Sequence, residues 1–185
     1  MNHDTAKIGT LRLMQDSDLE IVLSWRNRPE VRKNMYSQHV IALKDHRRWW
    51  AGARDDPSRQ YLVFEMAGTP MGAVNFTEIS PAHATAFWGF YTGPEAPRGT
   101  GSCMELLALD HAFGPLSLNK LNCEVLGFNR AVIALHHKFG FTEEGLFKAH
   151  KRLNGQYEDV HRLAIFAADW TKARPSLHTK ITGRR

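Results

Sequence analysis

Acidic residues are missing from the end of this chain: after Trp170 come Lys172, Arg174, Lys180, Arg184 and Arg185, with no Asp or Glu among them. The formal charge of +5 therefore resides in that segment, and the residues before it carry 19 basic and 19 acidic side chains. A balanced body with a basic end lacks the basic face of a nucleic-acid binder, so no nucleic-acid partner is expected. Cysteine is scarce as well. Cys103 and Cys123 are the two, too few for a framework of bridges, and a reducing cytoplasm is the simpler setting. Long apolar runs are also absent: the longest stretch free of Lys, Arg, Asp and Glu, Ile79 to Pro94, is broken by Pro81, His83 and Thr85, which leaves no membrane span. Met1 to Lys7 has no apolar core behind a basic cluster, so no signal peptide is expected. Neither His-Glu-x-x-His nor Cys-x-x-Cys spacing occurs, and the adjacent His136 and His137 diverge on a helix, so no metal is expected.

What is present fits one domain: 185 residues, 43% hydrophobic and 23% charged, close to the globular average. The boundaries expected are a single domain over 1–170 and a flexible basic tail over 171–185. Within the body, residues 26 to 59 hold nine Lys or Arg against Glu30, Asp45, Asp55 and Asp56. Either a solvated helix face or a pocket for a phosphorylated ligand accounts for such an excess.

Periodicity predicts a strand over Ile8 to Leu13, a helix after Asp16-x-Asp18 carrying Leu19, Val22, Leu23 and Trp25, and an interruption at Arg28-Pro29. A second helix spans Leu43 to Ala53. Three strands follow, Gln60 to Met66, Met71 to Ile79 and Ala84 to Tyr91. A loop of Gly93, Pro94, Pro97, Gly99 and Gly101 leads into a helix over Ser102 to Phe113, then a strand over Leu121 to Leu126 and a helix over Asn129 to Phe139 that Gly140 stops. Strands at Gly145 to Leu153 and Tyr157 to Ala167 close the body through Asn154-Gly155, a hairpin turn.

The glycine loop suits an anion. Glycines admit a pyrophosphate close to the backbone, and a helix starting near Ser102 turns unpaired N–H groups and its positive end toward it. No Gly-Lys-Ser or Gly-Lys-Thr accompanies them, which excludes a nucleoside-triphosphatase loop. With Arg98-Gly99-Thr100-Gly101-Ser102 and the segment Asn129-Arg130-Ala131-Val132-Ile133-Ala134-Leu135-His136-His137-Lys138-Phe139-Gly140-Phe141, the chain resembles the GCN5-related N-acetyltransferase (GNAT) superfamily from end to end. The resemblance implies an α/β fold with a mixed, mostly antiparallel twisted sheet of about seven strands and about four flanking helices, splayed between the fourth and fifth strands. It also implies acetyl-CoA as co-substrate, held by Tyr91, Arg98, Gly99, Thr100, Gly101, Ser102 and Asn129. Ala96 departs from the Gln or Arg that the superfamily often places three residues before the first glycine.

A finer likeness lies in Trp25-Arg26-Asn27-Arg28-Pro29-Glu30-Val31-Arg32-Lys33-Asn34-Met35-Tyr36-Ser37, followed by Ile41 and His46. It is similar to the N-acetyltransferases of pseudaminic acid biosynthesis, which acetylate the 4-amino group of a UDP-4-amino-4,6-dideoxy-sugar for flagellin or surface-glycan modification. Carried over, Arg26, Met35 and His46 line the acceptor pocket, and Tyr36, Thr77 and Glu78 are expected at the acceptor beside them. An Arg can fork onto a diphosphate and a His can donate to a phosphate oxygen or to uracil. Read as structure alone, the same residues are a helix-end Arg beside an acid, a surface His, and core Met35 and Tyr36.

The amine must attack as a neutral base while the departing thiolate gains a proton. The resemblance implies Glu124 as base and puts His136 where the superfamily commonly has an acidic Tyr; Glu78, which ends a strand near the same cleft, is the second candidate for the base. Cys103 and Cys123 are read as packing residues. Two other functions remain open: a GNAT enzyme acting on a protein N-terminus or a polyamine, and a non-catalytic acyl-CoA sensor. A homodimer is compatible with the sequence, and no membrane partner is expected.

Overall fold

The computed structural model describes residues 8–183. In chain order they form β1 (Thr10–Leu13), a 3₁₀ turn (Asp16–Asp18), α1 (Leu19–Arg26), α2 (Pro29–Arg32), α3 (Leu43–Ala53), β2 (Gln60–Met66), β3 (Thr69–Ser80) and β4 (Thr85–Thr92). Then follow α4 (Thr100–Phe113), β5 (Lys120–Leu126), α5 (Arg130–Phe139), β6 (Thr142–Leu153), β7 (Gln156–Phe166) and α6 (Ala167–Thr182). The strands make one sheet in the order β1-β2-β3-β4-β5-β7-β6, antiparallel except for the parallel β4–β5 pair. The GNAT-type α/β sheet expected from the sequence is thus present, with six α-helices among the described residues where about four were anticipated.

Strand alternation sorts the core into two layers. Leu62 and Phe64 of β2 and Val74 and Phe76 of β3 join one cluster with Met104, Leu106 and Leu109 of α4 and Phe139 of α5. Val63 and Ala73, one residue out of phase, join Val22 and Trp25 of α1 and Trp50 of α3 in the other. Each helix reaches its layer through a one-sided stripe: Leu19, Val22, Leu23 and Trp25 are buried on α1, and His46, Trp50 and Ala53 on α3. The Trp50 indole N–H is satisfied by Asp16 at 2.6 Å. Arg28-Pro29 does end α1, and Pro29 then opens α2, where its missing N–H costs nothing.

The segment after residue 170 differs from the expected flexible tail, since α6 runs to Thr182 and, of this segment, residues 184 and 185 alone lie outside the described ones. Trp170 and Leu177 are buried, with Ala173 and Ile181 packed beside them, an apolar stripe at helical spacing. Arg174 pairs with Asp110 of α4 through two hydrogen bonds of 2.6 and 2.8 Å, and Trp170 Nε1 donates to the same carboxylate. Charge counting missed this helix because Lys172 and Lys180 face solvent opposite an apolar stripe, while Arg174 is spent on Asp110.

Candidate active site

Strands β4 and β5 are paired only from Thr85 to Phe87 and from Lys120 to Asn122. Asn122 Nδ2 donates to Ala86 O at that junction; past it the strands part. A cavity of about 480 Å³ fills the fork and continues under α1 and α3, lined by Arg26, Met35, His46, Tyr91, Glu124 and His136, among others.

At one end of the fork, Gly99 caps α4 in the left-handed region, φ 99°, with no protein atom within 4 Å of where a Cβ would be. That conformation favours glycine. Gly101 differs: its Cβ would touch Leu135 and Phe90 at an ordinary 3.6 Å. Thr100 is buried and spends its hydroxyl on Pro97 O at 2.7 Å, while Arg98 is exposed. Tyr91 and Asn129, the residue capping α5, line the cavity; burial pushes the Tyr91 phenol pKa upward.

On the helix side, Arg26 donates through Nη2 to Ser37 O and Oγ, while Nη1 is buried with no partner. His46, 5% exposed and stacked on Trp49, also has its Nε2 buried and unpartnered. Burial, then the Arg26 charge, lowers the His46 pKa, partly offset by a hydrogen bond to the Leu19 backbone. Asn27, beside Arg26 in the sequence, clamps the loop between α2 and α3: Nδ2 donates to Ile41 O at 2.9 Å and Oδ1 accepts from Ile41 N at 2.8 Å. Met35 and Tyr36, on that loop, are half-buried and exposed respectively, so neither is a core residue.

Glu124 is engaged at both oxygens. Oε2 accepts from the Tyr36 hydroxyl at 2.6 Å and Oε1 from Arg162 Nη1 at 3.2 Å, with the Arg162 guanidinium lying 4.0 Å over the Phe87 ring. Nothing in the sequence spacing marked Arg162; the β5–β7 register, which sets Glu124 opposite Arg162, does.

His136 is almost wholly buried among Trp88, Phe90 and Phe141, and its Nδ1 lies 2.8 Å from Glu105 Oε1 of α4. Glu105, likewise unmarked in the sequence, is fully buried with Oε2 unpartnered. His137 turns away to Phe141 O. Burial raises the pKa of both thiols, Cys123 most, so neither is poised as a nucleophile despite the place of Cys103 near a helix start.

Thr77 and Glu78 fall outside the cavity. The β3–β4 register sets Thr77 opposite Phe87, at the closed end of the fork, and Glu78 is exposed in a bulge with φ 51°. Of the two carboxylates considered for the base, only Glu124 lines the cavity. Among the described residues, no group of three or more His, Cys, Asp or Glu is placed to hold a metal ion, and no helix is long and apolar enough to cross a membrane.

The family profile "Acetyltransferase (GNAT) domain" matches residues 10–142. Spermidine N(1)-acetyltransferase of Vibrio cholerae is 26% identical over 87% of this chain and 94% of its own length. The Escherichia coli enzyme of the same name is 29% identical over 84% of each chain. The crystal structure of the Vibrio cholerae spermidine N-acetyltransferase in complex with CoA and spermine superposes with a TM-score of 0.84 at 25% identity, covering 88% of this chain and 97% of that one.

Proposed function

The chain belongs to the GNAT acetyltransferase family and is an acetyl-CoA-dependent N-acetyltransferase, and from that premise we propose that its acceptor is the 4-amino group of a UDP-4-amino-4,6-dideoxy-sugar. The observation that carries this reading is the pair of buried, unpartnered nitrogens, Arg26 Nη1 and His46 Nε2, in the acceptor half of the cavity. Leaving such groups unmatched costs roughly 1–3 kcal/mol each, more where charged. Phosphate and uracil oxygens would match both. The one carboxylate lining the cavity, Glu124, is already opposed by Arg162, so a polycation would meet Arg26 without a free acid to receive it.

A second reading, acetylation of a polyamine, is favoured by the relatives named above, and comparison alone supports it better than the sugar. The two acceptors differ in charge sign, which makes them separable. The expectation of a protein N-terminus has no specific support, and the enzymatic relatives leave the sensor reading without a motive.

In either case acetyl-CoA supplies the activated acyl group, with Gly99 to Ser102 at its pyrophosphate and the unpaired edge of β4 beyond Phe87 beside its pantetheine arm. Glu124 receives the amine proton, directly or through water, and His136 supplies a proton to the departing sulfur. Holding both substrates in one fork supplies much of the rate by proximity.

The test offers the purified enzyme acetyl-CoA with a UDP-4-amino-4,6-dideoxy-sugar, spermidine and a Ser-starting peptide. Turnover of the sugar is expected, with Arg26→Ala raising its KM by about 10- to 100-fold, the equivalent of losing a charged hydrogen bond of roughly 1.5–3 kcal/mol. Turnover of spermidine or the peptide alone sinks the sugar reading.

A further inference from the structure

Glu105 is a carboxyl group with no solvent contact, on the layer of the sheet opposite α1 and α3, and the core around it offers one polar partner, His136 Nδ1. A buried carboxylate is expensive unless matched, and Oε2 is matched by nothing. A Leu or Met would fill such a place between α4 and α5 without that cost. The imidazole it touches, on α5, also lines the cavity, so the buried carboxyl is one contact away from the fork.

We infer that Glu105 is a positioning residue for the proton donor: it fixes the imidazole of His136 with Nδ1–H toward the carboxylate, directs Nε2 to the fork, and supplies the counter-charge that lets a buried imidazolium exist. The inference rests on the reading of His136 as the acid. In the resting enzyme the pair holds two exchangeable protons, one between Nδ1 and Oε1 and one on Nε2, and is neutral as a unit. As the C–S bond breaks, the Nε2–H bond breaks and an S–H bond forms. The thiol leaves uncharged, and the pair carries one negative charge until water returns a proton to Nε2. A neutral partner at position 105 would leave the imidazolium uncompensated among Trp88, Phe90 and Phe141, and the imidazole would sit unprotonated at Nε2.

The other ionisable groups around the pair come from several elements. Cys123 and Glu124 lie on β5, Lys138 on α5 and Arg162 on β7. Burial raises the Glu105 carboxyl pKa, and His136 and then Lys138 draw it back. Arg162 is committed to Glu124, so the carboxyl in hydrogen-bond contact with His136 is Glu105.

The experiment compares Glu105→Gln, Glu105→Asp, His136→Phe and the double variant Glu105→Gln/His136→Phe. Glu105→Gln keeps the shape and removes the charge. It is expected to lower kcat about tenfold and to move the alkaline limb of the kcat profile to lower pH, with both KM values within about twofold. Glu105→Asp is expected to keep the limb near its wild-type position. The double variant is expected to match His136→Phe alone, since the carboxylate has nothing left to act on. In the free protein, the ¹H NMR signal of the strongly bonded Nδ1 proton is expected downfield in wild type and displaced upfield in Glu105→Gln. An unshifted kcat profile in Glu105→Gln beside a slow His136→Phe overturns this inference alone, as do additive losses in the double variant. A wild-type rate for His136→Phe overturns the acid role and this inference together.

Discussion

The Tyr36 hydroxyl donates to Glu124 at 2.6 Å, joining the loop after α2 to β5 across the mouth of the fork. Lys151 lies over the Tyr36 ring, and Gln38 accepts from Asn154 at the β6–β7 turn, so the loop is moored to the hairpin as well. Although the side chain is exposed overall, desolvation where it meets β5 and the neighbouring carboxylate raise the Tyr36 pKa, so the phenol keeps its proton and Glu124 Oε2 stays occupied.

If Glu124 is the base, Glu124→Gln lowers kcat at least about tenfold and leaves the acetyl-CoA KM unchanged. Tyr36→Phe removes the phenol from Glu124 Oε2 and leaves the carboxylate in place, so it is expected to lower kcat by less than Glu124→Gln does. Steady-state profiles of the two variants check this, and a wild-type rate for Glu124→Gln would pass the proton directly to solvent.

Gly99 tests the proposed coenzyme site without disturbing the core. Its Cβ would enter open space while its backbone stays left-handed, a conformation that Asn tolerates. Gly99→Asn is expected to raise the acetyl-CoA KM about tenfold, which corresponds to about 1.4 kcal/mol, with a thermal midpoint within a few degrees of wild type. An unchanged KM would place the pyrophosphate elsewhere.

Local chemistry made much of the fold legible. Asn154 and Gly155 both have positive φ, the turn that the dipeptide announced, and Gly140 ends α5 with φ 99° as a helix stop should. Arg26 and His46, separated by a whole loop, both line one cavity. The partners of the candidate catalytic residues were illegible because they depend on register and helix packing: Arg162 reaches Glu124 from 38 residues away and Glu105 reaches His136 from 31. Glu78 was misplaced because proximity to a strand end carries no information about which end of the fork opens.

The C-terminal helix supplies a stability test. Leu177 is 5% exposed in the core cluster, so Leu177→Ala should cost about 2–5 kcal/mol, whereas Lys180→Ala, on an exposed position of the same helix, should stay within about 0.5 kcal/mol. Denaturant melts compare them. Equal, negligible effects would return residues 171–183 to the status of a tail.

His46 distinguishes the two acceptors by the sign of a proton linkage. Burial and Arg26 hold its folded pKa below the usual 6.5. The unfolded chain therefore binds the proton more readily, and the contribution of neutral His46 to stability is present above about pH 6.5 and lost as pH falls from there toward the folded value. A diphosphate placed against Arg26 and His46 favours the imidazolium, so binding takes up a proton and tightens as pH drops below about 6.5. A polyamine repels the imidazolium and weakens over the same range. Titration calorimetry from about pH 5.5 to 8, repeated in buffers of different ionisation enthalpy, reads that sign directly. Diphosphate ionisation is constant there, and His46→Gln removes the linkage while leaving the acceptor's own amine titration in place. Sugar-nucleotide affinity that is flat with pH, or falls on acidification as much in wild type as in His46→Gln, would take His46 out of the acceptor site. The unpartnered Nε2 would then be a polar group of the α1–α3 core.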